Sequence, residues 1–150
     1  MTTKMNTMKK NKRITFEEKL VKRCLPNFRM YARNGFFFFS GWVETELGRY
    51  KLRLVLAQEH PYAAPKLFLA LPKVLYTADG KSINSLGCSH RFHTESNGPG
   101  SCIQISYPMT WKPCCTCVKA IIGGIAWINA YERHLRTGKT IEDVVRDYKC

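Results

Sequence analysis

The chain has 150 residues, 45% of them hydrophobic, which is enough for one hydrophobic core and too short for two comfortable domains. Its 24 lysines and arginines against 11 aspartates and glutamates give a net charge of +13, which predicts attraction to an acidic protein, a nucleic acid or an anionic membrane. No stretch reaches the roughly 18 apolar residues of a membrane span, and no signal-peptide core follows the start, so we expect a cytoplasmic protein with no membrane partner. The seven cysteines lack the spacing of a secreted disulfide framework and are expected to be mostly free thiols.

The N-terminal segment divides into an arm and a helix. Residues 1–13 are polar, basic and aperiodic, which predicts a flexible basic arm in front of a single domain over 14–150. Thr15 and Glu18 fit a capping box, which predicts that the first helix begins there, and Pro26 ends it. The apolar residues that repeat at helical spacing after this cap are Phe16, Leu20 and Cys24.

A run of β-rich segments follows this helix. Turn signals such as Asn34-Gly35 separate the segments, which cover residues 28–32, 36–44, 50–57 and 66–72. In the third segment one face is apolar and the other carries Lys51 and Arg53, as expected of an antiparallel strand with one wet side. The pattern predicts a four-stranded antiparallel meander.

A long loop and a long helix complete the chain. Residues 73–101 are loop-like, and a loop of this length inside one domain tends to carry function. Gly138 then marks the natural end of a core-facing helix, and Gly123-Gly124 inside that helix predicts close packing. Its predicted core residues are Val118, Ile121, Ile122, Ile125 and Ile128. Thr140 could cap a short last helix.

Cys102 is the first candidate for chemistry. It follows a turn containing Gly98 and Gly100, where missing side chains let a ligand approach the backbone closely. His90 and His93 lie near enough in the chain to fold back toward the sulfur. A half-buried strand cysteine with no chemical role explains the same residues, and on composition alone both interpretations stay open.

Three cysteines at the start of the long helix are the rival candidates. These residues are Cys114, Cys115 and Cys117. Together with Cys88, His90 and His93, they supply enough soft ligands for a tetrahedral zinc ion. Their spacing does not match a zinc knuckle, so we expect no metal and no cofactor, and thiols that face the core or a groove. An accessory thiol role stays open, because a helix amino end lowers the pKa of a thiol.

The basic first helix has three possible meanings: a solvated face, a nucleic-acid contact or a docking surface for an acidic protein. Nucleic acid is the least favoured partner, because the arm contains none of the aromatic residues of a base-stacking platform.

The order of these features resembles that of a ubiquitin-conjugating enzyme. The basic helix and meander precede a proline-rich turn at 60–65, a long loop, Cys102 after its glycine turn, and a Trp–Pro element formed by Trp111 and Pro113. The bacterial branch of that family is most similar, because its long helix carries a "W-x-x-x-Y-E" motif and a "T-G" stop. The matching residues are Trp127, Tyr131, Glu132, Thr137 and Gly138.

The resemblance implies a UBC-like α+β fold with an N-terminal helix, a four-stranded antiparallel meander, a long active-site loop and a long C-terminal helix. It also implies that Cys102 accepts an acyl group as a thioester and passes it to an amine, usually a lysine. Relatives of this type are encoded in antiphage operons. The implied partners are a ubiquitin-like protein or a cGAS-like nucleotidyltransferase, with an activating enzyme as a further candidate.

The resemblance also assigns supporting roles. His93-Thr94-Glu95 stands where the family has His-Pro-Asn, so His93, Asn97 and the amides of the glycine turn are the candidate helpers of Cys102. By analogy, the first helix docks an acidic partner, and Trp111 and Pro113 belong to the binding surface. The docking residues are Lys19, Lys22 and Arg23. Two alternatives remain: an inactive binding module of the same fold and, ranked below it, a basic nucleic-acid-binding domain.

Overall fold

The computed structural model describes residues 9–106 and 110–148. The elements in chain order are α1 (Lys12–Cys24), β1 (Phe28–Arg33), β2 (Phe36–Glu44), β3 (Arg49–Val55), β4 (Lys66–Leu71), β5 (Ile103–Ile105), α2 (Cys117–Thr137) and α3 (Ile141–Tyr148). The predicted α+β arrangement with an N-terminal helix, an antiparallel meander and a long C-terminal helix is confirmed. Among the described residues, no helix combines the length and the apolar character needed to cross a membrane.

The sheet has five strands where the sequence predicted four. Its order is β1-β2-β3-β4-β5 and all pairs are antiparallel. The fifth strand is the segment after Cys102, which pairs with β4 in a register that places Ile105 opposite Leu67. The sequence indicates a half-buried strand around Cys102, but a segment of three residues does not show which strand it pairs with, so the predicted meander does not include it.

One face of the sheet forms the core, and α2 covers it. Leu52, Leu54, Leu67 and Leu69 on this face are fully buried. A Cβ added at Gly124 of α2 would lie 2.8 Å from Leu67 Cδ2 and 3.0 Å from Leu52 Cδ1, so the predicted close packing is confirmed there. The helix ends as predicted, at Gly138 with a φ of 79°. Ile122, a predicted core residue of α2, is 51% exposed, and that prediction is wrong.

The start of α1 differs from the prediction. Asn11 caps the helix by accepting a hydrogen bond from Ile14 N over 2.8 Å, so the helix begins one turn before the predicted Thr15 cap. Lys12 and Arg13 therefore lie in α1 rather than in the arm, of which residues 1–8 lie outside the described part. Glu18 forms no capping box and instead binds Lys10 at 2.7 Å.

The buried face of α1 also differs. Ile14, Glu17 and Val21 face the core, whereas Phe16 is 50% exposed. The apolar pattern misled the prediction because a carboxylate occupies the centre of the buried stripe. The short last helix is confirmed, since Asp143 N donates to Thr140 Oγ1 over 3.2 Å.

Candidate functional site

A tight turn presents Cys102 at the start of β5. Ser101 N donates to Gly98 O over 3.0 Å, and Gly98 N donates to Cys102 O over 2.9 Å. Gly100 and Ser101 have φ angles of 71° and 61°, in the left-handed region that favours glycine. The half-buried cysteine therefore follows a backbone held in a defined conformation.

The turn rests on Phe68 of β4. A Cβ at Gly98 would lie 2.2 Å from a ring carbon of Phe68, closer than any side chain can come. The ring is buried beneath the turn. A glycine is required at position 98, and its contact fixes the height of the turn above the sheet.

Asn84 holds the same turn from the long loop. Its side-chain amide donates to Ser101 O over 2.8 Å and to Lys73 O over 2.7 Å, and its Oδ1 accepts from Leu75 N over 3.2 Å. Asn97 Nδ2 in turn donates to Asn84 O over 2.8 Å. Sequence reasoning missed Asn84; its position in a short turn beside Ser82 and Ser85 was the available signal, because asparagine side chains often bond turn backbone.

Burial and the neighbouring positive groups shift the pKa of Cys102 in opposite directions. Burial raises the pKa of the thiol above its ordinary value, and the positive charge of Arg53 and the amides of Gly98 and Cys102 partly offset this rise. The net direction is upward, so the resting side chain is a protonated thiol. Arg53 and the two amides are nevertheless the groups that favour negative charge at this position.

His93 contacts Glu142 of α3 instead of assisting Cys102, which is the role that the resemblance implied. Its Nε2 lies 2.8 Å from Glu142 Oε2 of α3, and His90 Nε2 lies 3.4 Å from the same oxygen. No contact between His93 and Cys102 is found within residues 9–106 and 110–148. The pair with Glu142 attaches the loop to α3, whereas Asn97, the other predicted helper, belongs to the turn itself.

The "W-x-x-x-Y-E" residues of α2 hold the long loop. Trp127 Nε1 donates to Phe92 O and Tyr131 OH donates to Tyr76 O, both over 2.8 Å. One helical turn further on, His134 Nε2 accepts a hydrogen bond from Ala78 N over 2.9 Å. These side chains pair with two loop carbonyls and one loop amide and so hold the loop against α2.

Glu132 joins α2 to the meander. It is buried, and its carboxylate accepts hydrogen bonds from Tyr50 OH over 2.7 Å and from Thr45 Oγ1 over 2.5 Å. Burial and then the Glu132 carboxylate raise the pKa of the Tyr50 phenol. The three residues of the "W-x-x-x-Y-E" motif therefore form hydrogen bonds within the fold.

Trp111 and Pro113 have internal contacts too. Trp111 Nε1 donates to Pro61 O over 2.9 Å, and its ring lies 5.7 Å from that of His60. Pro113 O accepts from Arg13 Nη1 over 2.8 Å. Both residues fasten the segment before α2 to α1 and to the 60–65 turn.

The cysteine cluster spreads over different environments. Cys114 is exposed, and Cys115 is half-buried with its Sγ 3.4 Å from Lys112 N. Cys117, the first residue of α2, is fully buried. Burial and the neighbouring Glu17 carboxylate raise the pKa of Cys117, which opposes a nucleophilic role for this thiol.

A buried polar network surrounds Cys117. Glu17, His60 and Cys117 bring possible metal-ligand atoms within 4.8 Å of one another, a set that sequence reasoning did not find. The Glu17 carboxylate already accepts His60 Nε2 at 2.8 Å, Cys117 N at 3.0 Å and Arg13 Nη2 at 3.0 Å. A cation would have to displace these donors. We therefore interpret the cluster as a hydrogen-bond network that joins α1 to the start of α2.

The predicted docking residues Lys19, Lys22 and Arg23 are exposed on α1.

No family model, curated protein or solved structure matches the chain. The relationship to ubiquitin-conjugating enzymes therefore stays a prediction from the sequence.

Proposed function

We propose that the protein is a ubiquitin-conjugating-enzyme-like acyl transferase in which Cys102 is the nucleophile. The main support for this proposal is the local environment of Cys102. It is a partly accessible thiol at the end of a fixed turn, with Arg53 and the amides of Gly98 and Cys102 arranged to favour negative charge. A positive charge beside the sulfur, here that of Arg53, can stabilise the oxyanion that forms when an acyl group is transferred, whereas Gly98 N already donates to Cys102 O.

The chemistry has two balanced steps. The Cys102 sulfur attacks the thioester carbonyl of a donor, the bond to the donor sulfur breaks, and the departing thiolate takes the Cys102 proton. A lysine amine then attacks the new thioester, the bond to Cys102 breaks, and the sulfur recovers a proton from the amine. Because both steps conserve the oxidation state, no oxidant or cofactor is needed.

The acyl donor in this proposal is the C-terminus of a ubiquitin-like protein or a cGAS-like nucleotidyltransferase in an antiphage system. An activating enzyme is the natural source of the thioester. Exposed Lys19, Lys22 and Arg23 on α1 are suited to an acidic surface of such a partner, and they lie on a helix whose own acid, Glu18, is paired with Lys10.

A fluorescent peptide thioester ending in Gly-Gly tests the proposal. We expect it to label Cys102 and to form an amide with added lysine faster than the peptide reacts alone. Cys102→Ser should abolish amide formation while keeping the thermal unfolding transition. The matched controls, Cys114→Ser and Cys115→Ser, should transfer normally. Equal amide formation by Cys102→Ala would refute the role of Cys102.

The second candidate is an inactive binding module of the same fold. The raised pKa of Cys102 and the pairing of His93 with Glu142 favour it, because neither gives the sulfur a general base. A non-covalent complex with a ubiquitin-like protein that Cys102→Ala leaves unchanged, together with no catalysed amide formation, would select this function.

A further inference from the structure

The face of the sheet that points away from the core is basic and aromatic. Cross-strand pairs place Tyr31 beside Phe38, Arg29 beside Ser40, and Trp42 beside Lys51 on this outer face. The cationic residues there are Arg29, Arg33, Arg49, Lys51, Arg53 and Lys66, and the aromatic residues on β1 and β2 are Tyr31, Phe36, Phe38 and Trp42. Among the described strand residues of this face, Glu44 is the single acid.

Tyr31 and Phe36 are exposed, Phe38 and Trp42 are partly exposed, and arginines lie against two of these rings. Tyr31 is 48% and Phe36 39% exposed, and Tyr31 stacks on Phe38 with ring centroids 5.4 Å apart. The Arg49 guanidinium lies 4.3 Å from the Trp42 ring centre, and that of Arg53 lies 5.2 Å from the Phe38 ring centre. Neighbouring exposed apolar groups rimmed by polar residues are often an interaction site.

The face also contains incompletely satisfied polar groups. Arg53 Nε and Ser40 Oγ are opposite each other in the β2–β3 pair, and both are buried without a hydrogen-bond partner among the described residues. Buried polar atoms of native proteins are usually satisfied. Because both atoms are buried, they add no contact that a ligand on this face could make, and Arg53 contributes through its charge.

We propose that the outer face of the sheet binds single-stranded nucleic acid, with bases stacked on Tyr31, Phe38 and Trp42 and phosphates paired with the surrounding arginines and lysines. Stacked bases require accessible rings, and the backbone requires a concentration of positive charge, and this face has both. The basic arm contains no aromatic residues, whereas strand pairing assembles them on the sheet. The proposal does not depend on acyl transfer by Cys102.

Fluorescence anisotropy with a labelled oligo(dT) or oligo(U) of about 12 nucleotides, within the range of single-strand sites, measures the interaction at low salt. We expect binding that weakens as salt rises, and clear preference for the single strand over a duplex of the same length. Trp42→Leu and Tyr31→Leu should each weaken binding about ten-fold, the effect of losing one stacked base. Trp42→Phe should retain most of the affinity, because it keeps a ring.

Matched controls separate stacking from charge. Phe16→Leu removes an exposed ring on α1, and the Lys19→Glu, Lys22→Glu double variant reverses charge outside the sheet. Phe16→Leu should bind as the unmodified chain does. The Lys19→Glu, Lys22→Glu variant should lose less affinity than the Arg49→Glu, Lys51→Glu double variant, which makes the same charge change on the outer face. Cys102→Ser should also bind normally, which distinguishes this proposal from the proposed function.

Several results would overturn the proposal. They are absence of binding at low salt, equal affinity for duplex and single strand, equal affinity for poly-glutamate, or unchanged affinity of well-folded Trp42→Leu and Tyr31→Leu variants. Equal binding of poly-glutamate would assign the face to an acidic protein instead. Circular dichroism of each variant establishes that its fold is kept.

Discussion

The side-chain amide of Asn84 donates a hydrogen bond to the carbonyl of Ser101 over 2.8 Å and thereby holds the residue that precedes Cys102. Asn84 lies 17 positions earlier in the chain, at a single-turn helix over Asn84–Leu86. The same amide reaches Lys73 O, so one side chain spans both ends of the long loop. The position of the candidate nucleophile therefore depends on a residue that takes no part in the chemistry.

Asn84→Ala should loosen the turn at Cys102 without unfolding the protein. Loss of these hydrogen bonds should lower the free energy of unfolding by about 1–2 kcal/mol, the ordinary value of such bonds. Hydrogen exchange at residues 98–102 should accelerate, and transfer from the peptide thioester should fall. Ser85→Ala, which removes a hydroxyl from the same single-turn helix, is the matched control and should leave exchange at 98–102 unchanged. Equal exchange in both variants would contradict a tethering role for Asn84.

The reactivity of Cys102 should depend on pH and on Arg53. Because burial raises the pKa of the thiol, its alkylation by iodoacetamide should reach half its maximal rate above about pH 8.5, the ordinary cysteine value. Arg53→Gln removes a charge that lowers this pKa, so the midpoint should move to still higher pH, whereas Arg53→Lys should keep it close to its original value. Peptide mass spectrometry distinguishes Cys102 from the other thiols. A midpoint that stays unchanged or moves downward in Arg53→Gln would show that the Arg53 charge does not lower the pKa of the thiol.

The hydrogen bond from Tyr131 to Tyr76 O should stabilise the loop locally. Tyr131→Phe removes it and should lower the free energy of unfolding by about 1 kcal/mol, with faster hydrogen exchange around residues 76–78. Tyr50→Phe removes a different phenolic hydroxyl, the one that donates to Glu132, and serves as the control. It should destabilise the fold without a selective effect on the loop. The prediction fails if the two variants give the same exchange pattern.

The sequence predicted the elements that periodicity defines. Strand alternation in residues 50–57 located the buried leucines, and Asn34-Gly35 forms the expected turn, with φ angles of 51° and 81°. Gly138 ends α2 as predicted. These are local features, and local sequence determines them.

The remaining features depend on contacts between distant parts of the chain. Nothing near Glu17 in sequence reveals that His60 and Cys117 will surround it, so its burial and the register of α1 could not be predicted. Asn84 reaches Ser101 only after the loop has folded. The outer face likewise exists only once β1, β2 and β3 are paired. The position of Cys102 was predictable, but its surroundings were not.

Glu17 should make stability depend on acid pH. Although burial alone would raise its pKa, hydrogen bonds from His60, the Cys117 amide and Arg13 lower the pKa of Glu17 below the ordinary glutamate value. A carboxylate with a lowered pKa in the folded state stabilises the fold above the pKa of the unfolded chain, about 4.3, and this contribution is lost as pH falls through the folded value.

Glu17→Gln should therefore lower the free energy of unfolding by about 3 kcal/mol at pH 7, as expected when one partner of a buried ionic network is removed. The difference from the unmodified chain should persist down to about pH 5 and shrink below about pH 4, where the unfolded carboxylate takes up its proton. Urea unfolding at several pH values measures it. Glu18→Gln is the matched control on the same helix: its pair with Lys10 is half-exposed, so the change should stay within about 0.5 kcal/mol. A Glu17→Gln penalty that is equally large at pH 7 and at acid pH would mean that packing, rather than the charge of the carboxylate, accounts for its contribution.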